Sequence, residues 1–147
     1  MSLCVFCEII NGKIKARKIY ETKYSMVLLD AFPLKEGHTL IIPKAHKKKV
    51  QDLNKDENRD IFSTLYFLSS HIEKILKSNS TLIAIHNGEE AGQEIPHVHI
   101  HVVPIKKSDR STAIHSMFTK EKISEEKLDE IWKKMVDTLE QSKLENR

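Results

Sequence analysis

Residues 97–103 read His-Val-His-Ile-His-Val-Val. Strict alternation of polar and apolar side chains is the period of a β-strand, whose successive side chains point to opposite faces. The run predicts a strand over His97–Val103. Val98, Ile100 and Val102 turn to a core, while His97, His99 and His101 form a row on the outer face. Exposed strand positions ordinarily carry Thr, Lys or Glu, so three imidazoles in register there mark a site of chemistry rather than a surface.

The rest of the chain supplies partners for that strand. Lys18–Glu21 and Ser25–Leu29 read as strands joined by a tight turn at Thr22–Tyr24, and Thr39–Ile42 as a third, stopped by Pro43. Thr81–His86 reads as a strand that pairs antiparallel with the His run through the polar loop Asn87–Gln93. Three segments read as helices: Cys4–Asn11, ended by Gly12; Asn54 to Asn79; and Ser124–Leu144. In the long one, Ile61, Leu65, Leu68, Ile72 and Ile75 recur at spacings of four and three, predicting one buried stripe. Asn54 with Glu57 three residues on reads as a capping box. Strands at both ends of one long helix predict an α+β class with an antiparallel sheet.

At 147 residues the chain is sized for one domain, 1–147, with a core over about 4–105 and a helical tail over 106–147. The net charge is +3, from 24 basic and 21 acidic residues, too mild to argue for a nucleic-acid groove. The triple lysine in Lys44–Lys49 reads as a solvated turn. No apolar run approaches the roughly 20 residues that span a bilayer, and Met1-Ser2-Leu3 lacks the pattern of a secretory leader. Two cysteines three positions apart, Cys4 and Cys7, do not make a useful structural disulfide. A cytoplasmic protein with no membrane and no nucleic-acid partner is the expectation. There is no phosphate-binding glycine loop of the nucleotide-triphosphatase type, no dinucleotide-binding glycine pattern and no serine-nucleophile elbow, so no organic cofactor is expected.

A row of imidazoles offers both halves of a phosphoryl or nucleotidyl transfer. A neutral ring is a nucleophile, and a neighbouring protonated ring donates to the leaving group. Gly88 and Gly92 permit close approach of the 87–93 backbone to a phosphate. A single metal on all three rings is ruled out by reach. Zinc–nitrogen bonds are about 2.0–2.1 Å, whereas His97 and His101 stand about 13 Å apart along a straight strand. Two of the rings remain free to join a metal with help from elsewhere. His38 reads as structural, and neither His71 nor His115 has a partner suggested by spacing. Trp132 and the tail helix read as packing or dimer elements.

The same residues resemble a known family. The pattern His-φ-His-φ-His-φ-φ (φ apolar) of histidine triad (HIT) proteins is matched by His97–Val103. Further matches are Phe6–Ile10, Leu29-Asp30, the block Gly37–Pro43 continuing to His46, and Asn87–Gln93. The resemblance runs from about Cys4 to Ile105. It implies a HIT-like fold with a five-stranded antiparallel sheet, one long helix, a short N-terminal helix and a C-terminal helix, usually as a homodimer. It also implies a hydrolase or transferase acting at the α-phosphate of a purine nucleotide conjugate. Adenosine phosphoramidates and dinucleoside polyphosphates are the candidate substrates, through a nucleotidyl-histidine intermediate. In that scheme His99 is the nucleophile, His101 contacts the phosphate and assists the leaving group, and His97 orients the site. Asp30 holds the ribose, Phe6, Ile9 and Leu29 line the base pocket, and Asn87 and Gln93 lie near ribose and phosphate.

Cys4-x-x-Cys7 resembles a feature of one bacterial branch, in which the cysteines and two histidines, matching His46 and His97, hold a structural Zn2+. Such a site would occupy His97 and leave His99 and His101 as the working pair. The chain departs from the family at Glu94, where Ser or Thr is frequent, and at Pro96, where a larger side chain is common. Two other readings stay open at this point: a nucleotide-binding or interaction protein with little or no turnover, stabilised by zinc, and a metal sensor.

Overall fold

The computed structural model describes residues 4–109 and 121–145, the last three without their side chains. His115 and the Met1–Leu3 leader reading lie outside the described residues. The chain divides into two units, Met1–Arg110 and Ser111–Arg147.

The first unit is a five-stranded antiparallel sheet in the order β1-β2-β3-β5-β4. The strands are β1 (Arg17–Glu21), β2 (Ser25–Leu29), β3 (Thr39–Pro43), β4 (Ser80–Ala84) and β5 (Ile100–Ile105). Both faces of the central strands are covered. Val27, Ile41, Ile100 and Val102 pack with Ile61, Leu68 and Ile72 of the long helix α2 (Lys55–Leu76). Met26, Leu28, Leu40 and Ile42 point the other way and pack with Phe6 of the short helix α1 (Val5–Ile10). The register pairs Leu28 with Leu40 and Leu40 with His101. Directly opposed residues share a face, so His101 emerges on the α1 side.

The capping box at the start of α2 forms as expected: Asn54 Oδ1 accepts from Glu57 N–H, and Glu57 Oε2 accepts from Asn54 N–H. The helix stops at Leu76 rather than Asn79. Lys77 turns left-handed (φ 53°) and gives its N–H back to the carbonyls of Glu73 and Lys74. The stripe also ends differently: Ile75 is 74% exposed, and Leu76 packs against the core in its place.

The His run is corrected in two respects. The strand begins at Ile100, not His97, and β4 ends at Ala84, not His86. The apolar half of the alternation survives, since Val98, Ile100 and Val102 all enter the α2-side core. The imidazoles, however, are not on an outer face. His97 is 0% and His99 8% exposed, beneath Phe6, whose ring lies 5.6 Å and 5.2 Å from theirs. Helix α1 roofs the row that the strand period left open.

The second unit contributes α3 (Glu125–Glu145). Ser124 Oγ accepts from Lys127 N–H at its start. Leu128, Ile131, Met135 and Leu139 lie along it and stay exposed, as does Trp132. No helix among the described residues is long and apolar enough to cross a membrane.

Candidate active site

Six of the eight histidines gather around the segment that leads into β5. Their hydrogen bonds fix which nitrogen of most rings carries the proton. His99 Nδ1 lies 2.8 Å from the carbonyl oxygen of His97. A carbonyl only accepts, so Nδ1 holds the hydrogen and Nε2 keeps a lone pair. His97 Nε2 lies 2.8 Å from the carbonyl oxygen of Pro43 and donates to it, leaving the lone pair on Nδ1.

For His101 the argument needs one more ring. Leu34 N–H donates to His38 Nδ1 at 3.0 Å, so His38 carries its hydrogen on Nε2. That Nε2 lies 2.9 Å from His101 Nδ1 and donates to it. The remaining hydrogen of a neutral His101 therefore sits on Nε2. Two adjacent rings, 4.9 Å apart, thus carry complementary edges: a lone pair on His99 and an N–H on His101.

Burial keeps these rings uncharged. It pushes the proton affinity of His38, His97 and His99 below the ordinary imidazole value. His101 falls to about 4, first through burial and then through His99, His38 and His86 around it.

His99 and His101 open into a cavity of about 570 Å³. Its apolar walls come from Val5, Phe6 and Ile9 of the α1 segment and from Leu28, Leu29 and Leu40 of the sheet. Asp30 sits at the end of β2, its Oδ1 accepting from Phe32 N–H and its Oδ2 3.5 Å from His38 Nε2. Glu94 lines the wall, and Lys15 and Arg17 add cationic side chains to it. An enclosure of this size and mixed polarity fits a small ligand with one flat apolar end and one anionic end.

The structure thus brings together Phe6, Ile9, Leu29, Asp30, His99 and His101 around one space. Asn87 and Gln93 are engaged elsewhere. Asn87 Oδ1 accepts from Val50 N–H and its amide donates to Gln51 Oε1. Gln93 Oε1 accepts from Gly88 N–H, while its amide donates to the carbonyls of Lys48 and Ile95. Both side chains hold the 87–93 loop in shape.

Two residues of the cluster were not marked by the sequence. His38 read as structural, yet it sets the protonated edge of His101. His86 reads in the sequence only as a strand end. Continuing the β4–β5 register by two residues past the pair Ala84–His101 sets it opposite His99, which is the pattern that could have found it.

His97 belongs to a second group. Cys4, the N-cap of α1, and Cys7 in its first turn lie three residues apart, so their thiols share a side. Cys4 Sγ is 3.4 Å and Cys7 Sγ 3.6 Å from His97 Nδ1, and Cys7 Sγ is 3.3 Å from His46 Nδ1. All four ligand atoms lie within 4.8 Å of one another. The sulfur–nitrogen edge of a zinc tetrahedron is about 3.6 Å, from bonds of about 2.3 and 2.05 Å. The cluster therefore has the dimensions and the donor set of a metal site. His97 offers it the lone pair that its bond to Pro43 leaves free, a second contact that fixes both tautomer and ring orientation. Without a cation, burial and the neighbouring Cys4 push the Cys7 thiol above its ordinary value.

Comparison with known proteins agrees with this geometry. The HIT domain family matches residues 11–108. An adenosine 5'-monophosphoramidase of Saccharomyces cerevisiae is 34% identical over 95% of this chain and 84% of its own length. An asymmetrical bis(5'-nucleosyl)-tetraphosphatase of Schizosaccharomyces pombe is 35% identical over 67% of this chain, which spans 54% of that protein. The solved structure of a zinc-bound histidine triad family protein from Mycobacterium smegmatis superposes with a TM-score of 0.69 at 31% identity, covering 84% of this chain and 86% of that one. With the imidazole row, the five-stranded sheet and the family match in agreement, the chain belongs to the histidine triad (HIT) domain family.

Proposed function

We propose that the chain is a nucleotide hydrolase or transferase acting at the α-phosphate of an adenosine conjugate, with His99 as the nucleophile. The observation that carries this reading is the bond from His99 Nδ1–H to the His97 carbonyl, which presents a neutral Nε2 lone pair inside the cavity.

The base of the nucleotide stacks within the wall of Phe6, Ile9 and Leu29, and Asp30 takes the ribose hydroxyls. The α-phosphorus then meets His99. Nε2 attacks, a P–N bond forms and the bond to the leaving group breaks. An anionic phosphate beside His101 favours the protonated ring; the added hydrogen takes Nδ1, so the bond from His38 opens, and the Nε2–H passes to the leaving group. In the second half, water attacks phosphorus and gives its proton to the now neutral His101. The P–N bond breaks and its electron pair returns to His99. Asn87 and Gln93 serve this site through the loop they hold.

The Cys4, Cys7, His46 and His97 cluster fits zinc in a structural role, tying α1 to the segment that enters β5. A zinc there would draw both cysteines into the thiolate form and leave the reacting pair untouched.

The test uses an adenosine phosphoramidate and a diadenosine polyphosphate as substrates, with release of AMP as the readout. Wild type releases AMP and His99→Ala does not. Rapid quenching in alkali, where a phosphorus–nitrogen bond persists, traps a nucleotide adduct on the peptide that contains His99. Equal, negligible release by wild type and His99→Ala would leave only a nucleotide-binding protein.

A further inference from the structure

The cysteine–histidine cluster is open to solution. His46 is exposed, and Cys4 and Cys7 are half-buried. Cys4 and His46 also line a second cavity, of about 350 Å³, together with Lys48, Glu94, Ile95 and Pro96. A small polar molecule therefore reaches the Cys4 sulfur without disturbing the sheet.

The two sulfurs are also placed to react with each other. They lie no more than 4.8 Å apart, and two cysteines three residues apart is the spacing of redox-active pairs. Cys4 has an extended backbone, and its side chain makes no capping bond. Its sulfur is thus free to turn towards Cys7, to the roughly 2.05 Å of a disulfide. A link across so few residues stabilises the fold little, so it is a poor staple and an easily reduced one. Both sulfurs contact His97 Nδ1, at 3.4 and 3.6 Å, and Cys7 reaches His46 at 3.3 Å. A disulfide takes both thiolates out of that set at once. Two imidazoles remain, too few for a structural zinc, which needs four ligands.

We infer that Cys4 and Cys7 are a redox-active pair, which hydrogen peroxide closes to a disulfide with expulsion of the zinc. This rests on the zinc reading above and goes beyond it. Zinc holds both sulfurs as thiolates, the form that reacts. The Cys4 thiolate attacks one oxygen of the peroxide. The O–O bond breaks, a sulfenic acid forms on Cys4, and the departing hydroxide takes a proton from solvent to become water. The Cys7 thiolate then attacks the Cys4 sulfur. The S–S bond forms, the S–O bond breaks, and the second hydroxide is protonated in the same way. Each cysteine gives up one electron and the peroxide takes both. Helix α1 thereby loses its metal tie to the segment that enters β5 and is held by the packing of Phe6 against the sheet.

The test uses the whole chain purified without chelator. Hydrogen peroxide is added in small excess and then removed with catalase. Zinc release is read with a colorimetric chelator, and the thiols by intact mass and peptide mapping. The expected result is loss of all the zinc, a chain lighter by two hydrogens, and a link between Cys4 and Cys7 of the same chain. Dithiothreitol with added zinc restores both the mass and the metal content. The melting temperature falls by several degrees on oxidation and returns on reduction. Zinc retained with both thiols reduced overturns the inference. So does oxidation that ends as a sulfinic acid on one cysteine, or as a link between two chains. A chain that carries no zinc before peroxide is added overturns the metal reading, and the expulsion with it. Failure of the link to form in zinc-loaded protein overturns this inference alone.

Discussion

His38 Nε2 donates to His101 Nδ1 at 2.9 Å, and the direction of that bond is set by Leu34, whose N–H takes the other nitrogen of His38. A backbone amide at the β2–β3 loop thereby decides which edge of a ring on β5 carries hydrogen. Nitrogen-15 chemical shifts should show His101 as the Nε2–H tautomer in the free protein. His38→Ala removes the donor and leaves a partly buried Nδ1 unpaired. The expected loss is about 10- to 100-fold in kcat, in line with other contacts that orient a working histidine. Stability should fall by about 1–3 kcal/mol, the cost of one orphaned buried polar group.

The same pair makes the fold sensitive to acid. Burial lowers His38, and lowers His101 to about 4, whereas an imidazole in the unfolded chain titrates near 6.5. As pH drops below about 6.5 the unfolded chain binds protons that the folded chain refuses, so its free energy falls first. The stabilising effect of keeping these rings neutral is complete above that pH and is lost on the way down towards 4. For His101 alone this is on the order of 3 kcal/mol. Urea unfolding between pH 4 and 7.5 should show stability rising with pH and levelling off near neutrality. In His38→Ala the rise should be smaller, because one of the two groups is gone.

Metal removal should act on the fold more than on the chemistry. None of Cys4, Cys7, His46 and His97 lines the cavity onto which His99 and His101 open. Protein purified without chelator should carry close to one zinc per chain by elemental analysis. Cys7→Ser should abolish it, and its melting temperature should drop by several degrees, since a loss of about 1 kcal/mol shifts a domain of this size by roughly 2–8 °C. AMP release should stay within about tenfold of wild type, because the nucleophile keeps its own bond to the His97 carbonyl. A zinc content unchanged in Cys7→Ser would move the metal to another place.

How much of this was legible from residue order differs from element to element. Alternation in the His run identified the apolar half of the strand, because Val98, Ile100 and Val102 obey a local rule. It did not reveal that the ladder starts at Ile100. There the backbone is diverted: His97 N–H bonds to the Ile95 carbonyl, Val98 N–H to that of Lys47, and the His97 carbonyl takes a side chain. Side-chain bonds to the backbone compete with sheet pairing, and they have no periodic signature. The cysteines and His46 could be linked to His97 only through the family resemblance, since 39 to 93 residues separate the members that touch. His38 was passed over for a similar reason, since its partner is 63 residues away and is reached only by the β3–β5 register.

The loop that carries His38 makes a final test of how closely α2 fits the sheet. Gly37 adopts φ +86°, and a Cβ built on it would lie 2.6 Å from Leu76 Cγ and 2.9 Å from Leu76 Cδ1. Leu76 is the residue that replaced Ile75 in the core, so this contact is where the end of α2 meets the β2–β3 loop. Gly37→Ala adds a methyl group where neither the backbone nor the neighbour accepts one. A left-handed alanine costs about 1 kcal/mol and the overlap a further 1–3 kcal/mol, less whatever Leu76 recovers by changing rotamer. Leu76→Ala alone also destabilises, by opening a gap beneath the loop. In the double variant the gap receives the methyl group. Its loss measured by urea unfolding should be smaller than the sum of the single losses by at least about 1 kcal/mol. Strict additivity would show that Gly37 is needed for its backbone angle alone and that the helix end does not press on the loop.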